Sequence, residues 1–412
     1  MKLLIIEPEA GGHHFLPYLQ YFVQAAQAQG ISVRLMTSAS ACAHPAMALL
    51  QDSLVKPLEI CLMPEVPAIK SGGTLALFSR QRLAYKAVSD GFIKIPHVDR
   101  PEHIVMMCMD GFDRWFALFG SPFGKISYSG LYIGVKFHLH ALGIAPSGRL
   151  AAVHQRLFNR LAAQKKLYAS ATIDESLLVF YKSEPKILSK LRFVPDPGQV
   201  KLVENQAAAQ MRLDIPADQF VILMYGGISQ RKNISGLLEA ASGVSSAYVV
   251  LAGRMDDEAR EICLQSANAI QLRAEKRLLC FDQFIEPALE SAVFSACDCV
   301  WLCYASDFYG QSAVLAQAAS AGKPILARTG GQIGNMCSKH GLGICAEPHQ
   351  PNAVARALTS LMDHCSVSQY FHDGTAKFAE SRSALAFGQA MLMLIPANHD
   401  QSPKRQTPSP LM

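Results

Sequence analysis

Residues 220–233, FVILMYGGISQRKN, constrain the fold of this chain more than any other stretch. An apolar run typical of a buried strand ends at Gly226-Gly227, and a helical pattern begins just after the cations Arg231 and Lys232. Glycines let a ligand approach the backbone, and a helix N-terminus offers N–H groups and positive dipole charge. The stretch predicts a cradle for a diphosphate, although an ordinary strand-to-helix turn with solvated cations has the same pattern.

The rest of the C-terminal half repeats this alternation of strands and helices. Apolar runs at 248–253, 278–284, 299–304, 325–327 and 341–345 predict strands, and helical patterns separate them at 290–297 and 314–321. A further amphipathic helix is predicted at 351–364. Alternating strands and helices are typical of a doubly wound parallel sheet, so we expect an α/β fold here.

Residues 220–361 resemble the C-terminal domain of glycosyltransferase family 4, a retaining family of group 1 glycosyltransferases. The matching pieces, in order, are GGISQRKN at 226–233, LAG at 251–253, SDFYGQSAVLAQAASAGKPILA at 306–327, RTGGQIGNM at 328–336 and GLGICAEP at 341–348. The resemblance implies the GT-B fold, in which two Rossmann-like doubly wound parallel-sheet domains face each other across a cleft.

The same resemblance assigns roles to residues of the C-terminal half. It implies that Arg231 and Lys232 bind the donor's pyrophosphate and act in catalysis. It also implies that the loop at 306–310 binds the donor sugar and that the following helix holds the ribose. The expected donor-binding residues in this half are Gly226, Gly227, Asp307, Tyr309, Gly310, Gln311, Ser312 and Gln317.

The chain departs from the family pattern at two acidic positions. The family usually carries two glutamates eight residues apart, and a count without gaps places Tyr309 and Gln317 there. A glutamine amide can still hydrogen-bond a ribose hydroxyl, but a tyrosine does not supply a carboxylate charge at neutral pH. Asp307, two residues before Tyr309, is the alternative source of that charge.

The N-terminal half begins with a strand at 2–7, a loop at 8–14 and a helical pattern at 15–28. By resemblance this loop lines the interdomain cleft near the donor, with Gly11 and Gly12 as binding positions and His13 as a candidate cleft residue. Asp110, which ends the strand predicted at 103–110, is a second candidate because ligands bind at the carboxyl ends of such strands. The alternatives are a solvated helix start for the histidines, favoured for His14, and a turn aspartate.

Two other segments of this half carry polar side chains in regular patterns. Alternation around residues 132–139 predicts a strand with His138 and His140 on one face, but no Cys or Asp cluster accompanies them, so we expect no metal site. The helix predicted at 150–166 carries four Arg and Lys residues off its apolar stripe, and Arg149 lies just before it. That face is either simply solvated or in contact with anionic lipid.

The chain's 412 residues suit two domains. We predict an acceptor domain at 1–198, a donor domain at 199–382, a helix crossing back to the first domain at 383–397, and a disordered tail at 398–412. The net charge of +5 is too weak to indicate nucleic-acid binding.

Eleven cysteines without a CxxC pair fit a reducing cytoplasm. The chain starts on a strand with no signal peptide and has no apolar run long enough to cross a membrane. We therefore expect a cytoplasmic protein, in peripheral contact with the inner membrane face.

Together these patterns predict a metal-independent, retaining glycosyltransferase that moves a sugar from a nucleotide-diphosphate donor to an acceptor hydroxyl. The nucleotide sugar is its substrate, and no cofactor is expected. The resemblance favours a lipid-linked or saccharide acceptor in bacterial polysaccharide or glycoconjugate synthesis. Two alternatives stay open, namely a non-catalytic GT-B protein that binds a nucleotide sugar or a partner, and a GT-B sugar-nucleotide epimerase.

Overall fold

The computed structural model of the chain describes residues 1–11, 14–66, 74–365 and 371–397. The chain divides into two compact units. Unit 1 comprises Met1–Ile133, Val153–Val194 and the residues from Gly388 onward, and unit 2 comprises Gly134–Ala152 and Pro195–Phe387. The tail predicted at 398–412 lies outside the described residues. Which unit takes the donor and which the acceptor stays a prediction.

Unit 1 is built on a seven-stranded parallel sheet with the strand order β3-β2-β1-β4-β5-β6-β7. Its strands are β1 Lys2–Ile6, β2 Ser32–Ser38, β3 Glu59–Met63, β4 His103–Met106, β5 Ser127–Tyr132, β6 Leu167–Thr172 and β7 Leu191–Phe193. The helices along this part of the chain are α1 Gln20–Ala28, α2 Ala39–Cys42, α3 Pro45–Asp52, α4 Thr74–Ile93, α5 Asp113–Phe119, α6 Ala151–Ala162, α7 Glu175–Phe180 and α8 Pro185–Leu188.

Unit 2 is built on a six-stranded parallel sheet with the order β10-β9-β8-β11-β12-β13. Its strands are β8 Phe220–Tyr225, β9 Ala247–Ala252, β10 Leu278–Phe281, β11 Cys299–Leu302, β12 Ile325–Arg328 and β13 Gly343–Ala346. The helices along it are α9 Gln206–Arg212, α10 Ile234–Ser242, α11 Asp257–Gln265, α12 Ala267–Ala274, α13 Pro287–Ala296, α14 Ala313–Ser320, α15 Gly331–His340, α16 Pro351–Cys365, α17 His372–Glu380 and α18 Ala384–Leu392, whose last residues belong to unit 1.

Strand β8 shows why this sequence forms a central strand of a covered sheet. Successive side chains point to opposite faces, so Val221 and Leu223 pack in one hydrophobic cluster and Ile222 and Met224 in the other. All four are fully buried, as expected for a parallel sheet with helices on both faces. The prediction of two doubly wound parallel sheets is confirmed.

Each sheet has a point where the direction of winding reverses. In unit 1 the chain runs outward from β1 to β3 on one side and from β4 to β7 on the other, so the reversal lies between β1 and β4. In unit 2 it lies between β8 and β11. The crevice outside the carboxyl ends of the strands at such a point is where open α/β sheets bind ligands.

The predicted strand with His138 and His140 on one face is wrong. Strand β5 ends at Tyr132 because the next backbone N–H, that of Ile133, donates to the Asp110 carboxylate at 2.7 Å instead of to a neighbouring strand. His140 lies in a 3-10 turn, where its Nδ1 is 2.8 Å from the Phe137 carbonyl oxygen.

No helix of the described residues is long and apolar enough to cross a membrane.

A buried histidine ties the end of the chain to the first sheet. The His103 ring, on β4, has Nε2 at 2.9 Å from the Leu394 carbonyl oxygen and Nδ1 at 2.8 Å from the Ser127 hydroxyl. Because a carbonyl only accepts, Nε2 carries the proton and Nδ1 accepts from Ser127. Burial lowers the pKa of His103 to about 4, so the ring is neutral in the fold.

We expect His103 to make the fold sensitive to acid. The unfolded chain binds the proton near pH 6.5 and the folded chain only near pH 4, so stability is lost as pH falls between these values. The loss approaches about 3 kcal/mol at the acid end. Urea unfolding of the wild type and of His103→Gln, at several pH values, measures it: the two stability curves should converge on acidification. Parallel curves would show that His103 does not titrate in this way.

Candidate functional site

The turn after β8 brings two backbone segments into close contact. Gly226 has φ +83 and its N–H donates to the Ala252 carbonyl at 2.9 Å. A Cβ on Gly253, where φ is +144, would lie 2.1 Å from the Gly226 carbonyl oxygen, so only glycine fits there. A Cβ on the exposed Gly227 would meet nothing within 4 Å, which leaves the outer side of the turn open to a ligand.

The Lys232 side chain points inward beneath this turn. It is 3% exposed, and its Nζ donates to the Tyr225 carbonyl oxygen at the end of β8. Burial, and to a lesser extent the neighbouring Arg231, lower the pKa of Lys232 to about 7. No carboxylate of the described residues acts on this ammonium. A buried positive charge of this kind is stabilised by an anion brought to it.

Arg231 lies on the exposed side of the same turn. Its guanidinium carbon is 4.9 Å from the centre of the Phe308 ring and 5.9 Å from that of Tyr304, both in the segment after β11. Backbone contacts hold the two segments together, since the Ala305 N–H donates to the Arg231 carbonyl at 3.0 Å. The Trp301 indole N–H donates to the Lys232 carbonyl at 2.8 Å. The two predicted cations are therefore fixed at the reversal point of the second sheet.

Helix α10 starts directly behind the cations. Asn233 adopts the left-handed conformation, and its side-chain oxygen accepts from the Gly236 N–H at 3.2 Å as an N-cap. Its amide nitrogen donates to the Cys303 carbonyl, also at 3.2 Å. The positive end of this helix thus faces the same region as Arg231 and Lys232.

The loop after β11 is held by a residue to which sequence reasoning gave no role. Arg328 at the end of β12 donates through Nη1 to the carbonyls of Ala305 at 2.9 Å and Phe308 at 2.6 Å. Its guanidinium carbon lies 4.9 Å from the centre of the Tyr309 ring. The Tyr309 carbonyl accepts from the Gln332 N–H at 3.1 Å.

The other predicted residues of this loop lie beside this anchored segment. Asp307 is exposed, whereas Tyr309, Gly310, Gln311 and Ser312 are half-buried. The Ser312 and Tyr304 hydroxyls are 3.1 Å apart. Arg328 could have been suspected from its position at the carboxyl end of a strand, but its turn inward to the carbonyls has no sequence signal.

Gln317 on α14 meets a carboxylate that sequence reasoning missed. Its amide nitrogen donates to Oε1 of Glu290 on α13 at 3.1 Å, and the Tyr225 hydroxyl donates to the same oxygen at 2.6 Å. Burial raises the pKa of Glu290. The Gln317 carbonyl oxygen is buried and has no partner among the described residues. The region where the resemblance expects a glutamate on α14 therefore holds a carboxylate from another helix.

Unit 1 places a second group of polar side chains at its own reversal point. Glu7, which follows β1, is 1% exposed, and its Oε2 lies 2.8 Å from Nδ1 of His14. Burial alone would lower the pKa of His14, but the Glu7 carboxylate outweighs it and the net shift is upward. Gly11 is exposed, and its carbonyl accepts from the His14 N–H. The predicted residues Gly12 and His13 lie outside the described residues.

Asp110 follows β4 at the same reversal point. Its Oδ2 accepts the Ile133 N–H, which ends β5, so part of its role is to shape the turn. Burial, and then the neighbouring Asp110, raise the pKa of Asp113 to about 7. Within the described residues, no three His, Cys, Asp or Glu side chains lie together in a way that could hold a metal ion.

The chain matches known proteins in sequence family and in fold. Residues 180–376 match the sequence model of the family described as glycosyl transferases group 1. Comparison with curated proteins gave no sequence match.

Three solved structures share the architecture over nearly the whole length. Sucrose-phosphate synthase of Thermosynechococcus elongatus is 15% identical, with a TM-score of 0.67 over 95% of this chain and 98% of its own. WaaG, a glycosyltransferase involved in lipopolysaccharide biosynthesis, is 15% identical, with a TM-score of 0.64 over 96% and 100%. HepE of Anabaena, in complex with UDP and glucose, is 12% identical, with a TM-score of 0.65 over 94% and 97%. The chain therefore has the GT-B fold.

The contact between Gln317 and Glu290 predicts the outcome of exchanging them. Gln317→Glu replaces the amide that donates to Glu290 with a second carboxylate, and the two negative charges repel each other. The substitution should therefore destabilise the fold by about 1.5–3 kcal/mol above pH 7. The exchange Glu290→Gln/Gln317→Glu restores one amide and one carboxylate, and should recover most of that loss. Urea unfolding of the two single variants and the exchange variant measures the coupling. Additive effects would show that the two side chains do not interact.

Proposed function

We propose that this chain is a glycosyltransferase that moves a sugar from a nucleoside-diphosphate donor to an acceptor hydroxyl. The observation that carries the proposal is the buried ammonium of Lys232, which has a carbonyl for a partner and, among the described residues, no carboxylate. Arg231 on the open side of the turn adds a planar donor that matches phosphate geometry. A diphosphate bound over Gly227 would bring its negative charge to both cations.

The same cations explain how transfer would be accelerated. As the bond between the sugar and the diphosphate breaks, negative charge grows on the leaving phosphate. Fixed positive charges aimed at that oxygen stabilise the transition state more than the ground state, and they need no reorganisation when the charge appears. Arg231, Lys232 and the start of α10 would do the work that a bound metal ion does elsewhere, so we propose a metal-independent reaction. Retention of the anomeric configuration is proposed from the family resemblance.

The neighbouring residues suggest how the rest of the donor binds. The anchored loop carrying Asp307 and Tyr309 offers a charged acceptor and a hydroxyl to the sugar. Gln317 and Glu290 lie at the side of Tyr225, where they could receive the ribose hydroxyls. The structural likeness to HepE, which is known in complex with UDP and glucose, supports a uridine-diphosphate sugar as the first donor to test.

We further propose that the acceptor is a lipid-linked or saccharide chain at the inner membrane face. The likeness to WaaG, which is involved in lipopolysaccharide biosynthesis, supports this. In unit 1, Phe119 is 62% exposed beside Leu118, whose carbonyl accepts from the Arg160 guanidinium. Apolar and basic groups exposed together are typical of surfaces that contact anionic lipid, and co-sedimentation with anionic vesicles tests this contact.

A nucleotide-sugar-binding protein without activity is the second candidate. It is favoured by Tyr309 and Gln317, which stand where the resemblance expects carboxylates. Such a protein would keep the cation pair and its affinity for diphosphate, so binding alone does not separate the two functions.

Lys232 should make diphosphate affinity fall as pH rises. The free protein's Lys232 is half-protonated near pH 7, whereas a bound diphosphate favours the ammonium, so binding takes up a proton above that pH. Phosphate's own second pKa lies near 6 and does not interfere there. Between pH 7 and 9 the affinity for UDP should fall by up to about tenfold per unit. Isothermal calorimetry in buffers of different ionisation enthalpy measures both the affinity and the proton uptake.

Two variants serve as controls for this linkage. Lys232→Met keeps the apolar stem, so UDP binding should weaken by about 1.5–3 kcal/mol and lose its dependence on pH in this range. Arg231→Met should weaken binding similarly but keep the dependence. A steep fall that persists in Lys232→Met would assign the proton to another group.

Turnover of a donor panel separates the enzyme from the binding protein. With UDP- and other nucleotide-linked sugars and membrane-extract acceptors, an enzyme should transfer one sugar, or slowly hydrolyse the donor when no acceptor is present. Asp307→Ala and Tyr309→Phe should change which sugar is used while the affinity for UDP stays the same. Tight UDP binding with neither transfer nor hydrolysis for any donor would leave the binding protein as the function.

A further inference from the structure

We propose that Cys263 and Cys280, both in unit 2, form a reversible disulfide when a peroxide oxidises the protein. The two Sγ atoms lie 3.4 Å apart, with Cys263 on α11 and Cys280 on β10. A disulfide bond is about 2.0 Å long, so the two sulfurs need to approach each other by roughly 1.4 Å. The sequence showed no CxxC pair and gave these two cysteines no role. In a reducing compartment, disulfides are usually transient and often sense oxidants.

The fold exposes one thiol of the pair and keeps the other inside. Strand β10 is an edge of the six-stranded sheet, and Cys280 on it is exposed. Cys263 is 4% exposed and belongs to the hydrophobic cluster that also contains Leu251 and Leu272. A small oxidant such as hydrogen peroxide therefore reaches the pair from the side of Cys280.

The groups around the pair favour a negative charge on Cys263. Arg273 on α12 places Nη2 3.4 Å from Cys263 Sγ and donates to the Cys263 carbonyl. The hydrogen bond from Cys280 lowers the pKa of the Cys263 thiol; burial and the charge of Asp282 oppose this shift, and Arg273 supports it. The thiolate is the reactive form of cysteine, so Cys263 is the residue that attacks the oxidant.

The oxidation balances with one molecule of hydrogen peroxide. The Cys263 thiolate attacks one peroxide oxygen, the O–O bond breaks, and hydroxide leaves and takes up a proton to give water. Cys263 is then a sulfenic acid. The Cys280 sulfur attacks the Cys263 sulfur, the S–O bond breaks, and the hydroxide that leaves combines with the Cys280 thiol proton as a second water. Two thiols have been oxidised and one peroxide reduced.

Cys337 and Cys345 provide a contrast within the same unit. Their thiols also interact, on α15 and β13. Cys337 is fully buried, and among the described residues no Arg or Lys acts on either thiol. This second pair lacks both the exposed partner and the neighbouring cation, so we expect peroxide to oxidise it more slowly.

The disulfide would join two elements that support the turn after β8. The carbonyl of Phe281, the residue after Cys280, accepts the Gly253 N–H at 2.9 Å. Met255, just before α11, pairs with Ile228 in that turn. Drawing α11 and β10 together would displace this supporting segment, so oxidation should weaken UDP binding. This consequence rests on the proposed function, whereas the disulfide itself does not.

Peptide mapping of the whole chain tests the disulfide. The reduced protein is treated with hydrogen peroxide, and mass spectrometry should then find the peptides of Cys263 and Cys280 joined, with the loss of two hydrogen atoms. Dithiothreitol should reverse the change. Cys280→Ser should leave a sulfenic acid on Cys263 that dimedone traps, and Arg273→Met should form the disulfide severalfold more slowly. The control Cys345→Ser should form it at the wild-type rate.

One result of the mapping would overturn the disulfide. This is a wild-type protein in which peroxide oxidises other cysteines but never joins Cys263 to Cys280. Oxidation of Cys280 at the wild-type rate in Cys263→Ser would overturn the assignment of Cys263 as the attacking thiolate. Should a serine variant fail to fold, mapping of the wild type and of Arg273→Met decides.

Calorimetry with UDP separates the disulfide from the function. Oxidised wild type should bind UDP severalfold more weakly than reduced wild type, and peroxide-treated Cys280→Ser should keep the affinity of the reduced protein. Equal affinity in the two states of the wild type would overturn the effect on the turn. A chain that forms the disulfide but binds no nucleoside diphosphate in either state would overturn the proposed function and leave the disulfide established.

Discussion

A buried ammonium governs the second unit of this protein. The Lys232 ammonium donates to the Tyr225 carbonyl under the β8 turn, and the Trp301 indole of β11 donates to the Lys232 carbonyl. No negative charge among the described residues balances the ammonium. Placing a cation there costs free energy in the empty protein, and a bound anion returns it. The backbones of Gly226 and Gly253 meet closely beside that position, since a Cβ on Gly226 would lie 3.2 Å from Lys232 Nζ. A diphosphate bound as proposed would recover that cost.

The architecture and the cation pair could be predicted from the sequence, but the polar partners around them could not. The strand β8 and the Arg231-Lys232 turn are local patterns, set by residues within about ten positions of one another. Glu290 meets Tyr225 across 65 residues of sequence, and only the packing of α13 decides that its carboxylate turns toward α14. Arg328 likewise reveals its role only when the loop after β11 folds over it.

In unit 1, a side-chain contact that the sequence does not predict joins two residues that are close in the chain. Glu7 and His14 are seven residues apart but do not lie on one helix, and the turn at Gly11 brings them together. The alternation at 132–139 was misleading because Asp110 captures the Ile133 N–H and ends the strand. Long-range side-chain bonds to the backbone overrode a local pattern in that case.

The path of the chain also determines the order in which the protein can be completed during synthesis. Unit 1 is assembled from three separate stretches, the last beginning at Gly388, whereas the body of unit 2 ends at Phe387. The carbonyl partner of His103, Leu394, is synthesised only after all of unit 2. The ribosome therefore synthesises all the residues of unit 2 before it synthesises the last stretch of unit 1. A chain that ended at Phe387 would hold every residue of unit 2 but would lack the stretch of unit 1 that contains Leu394.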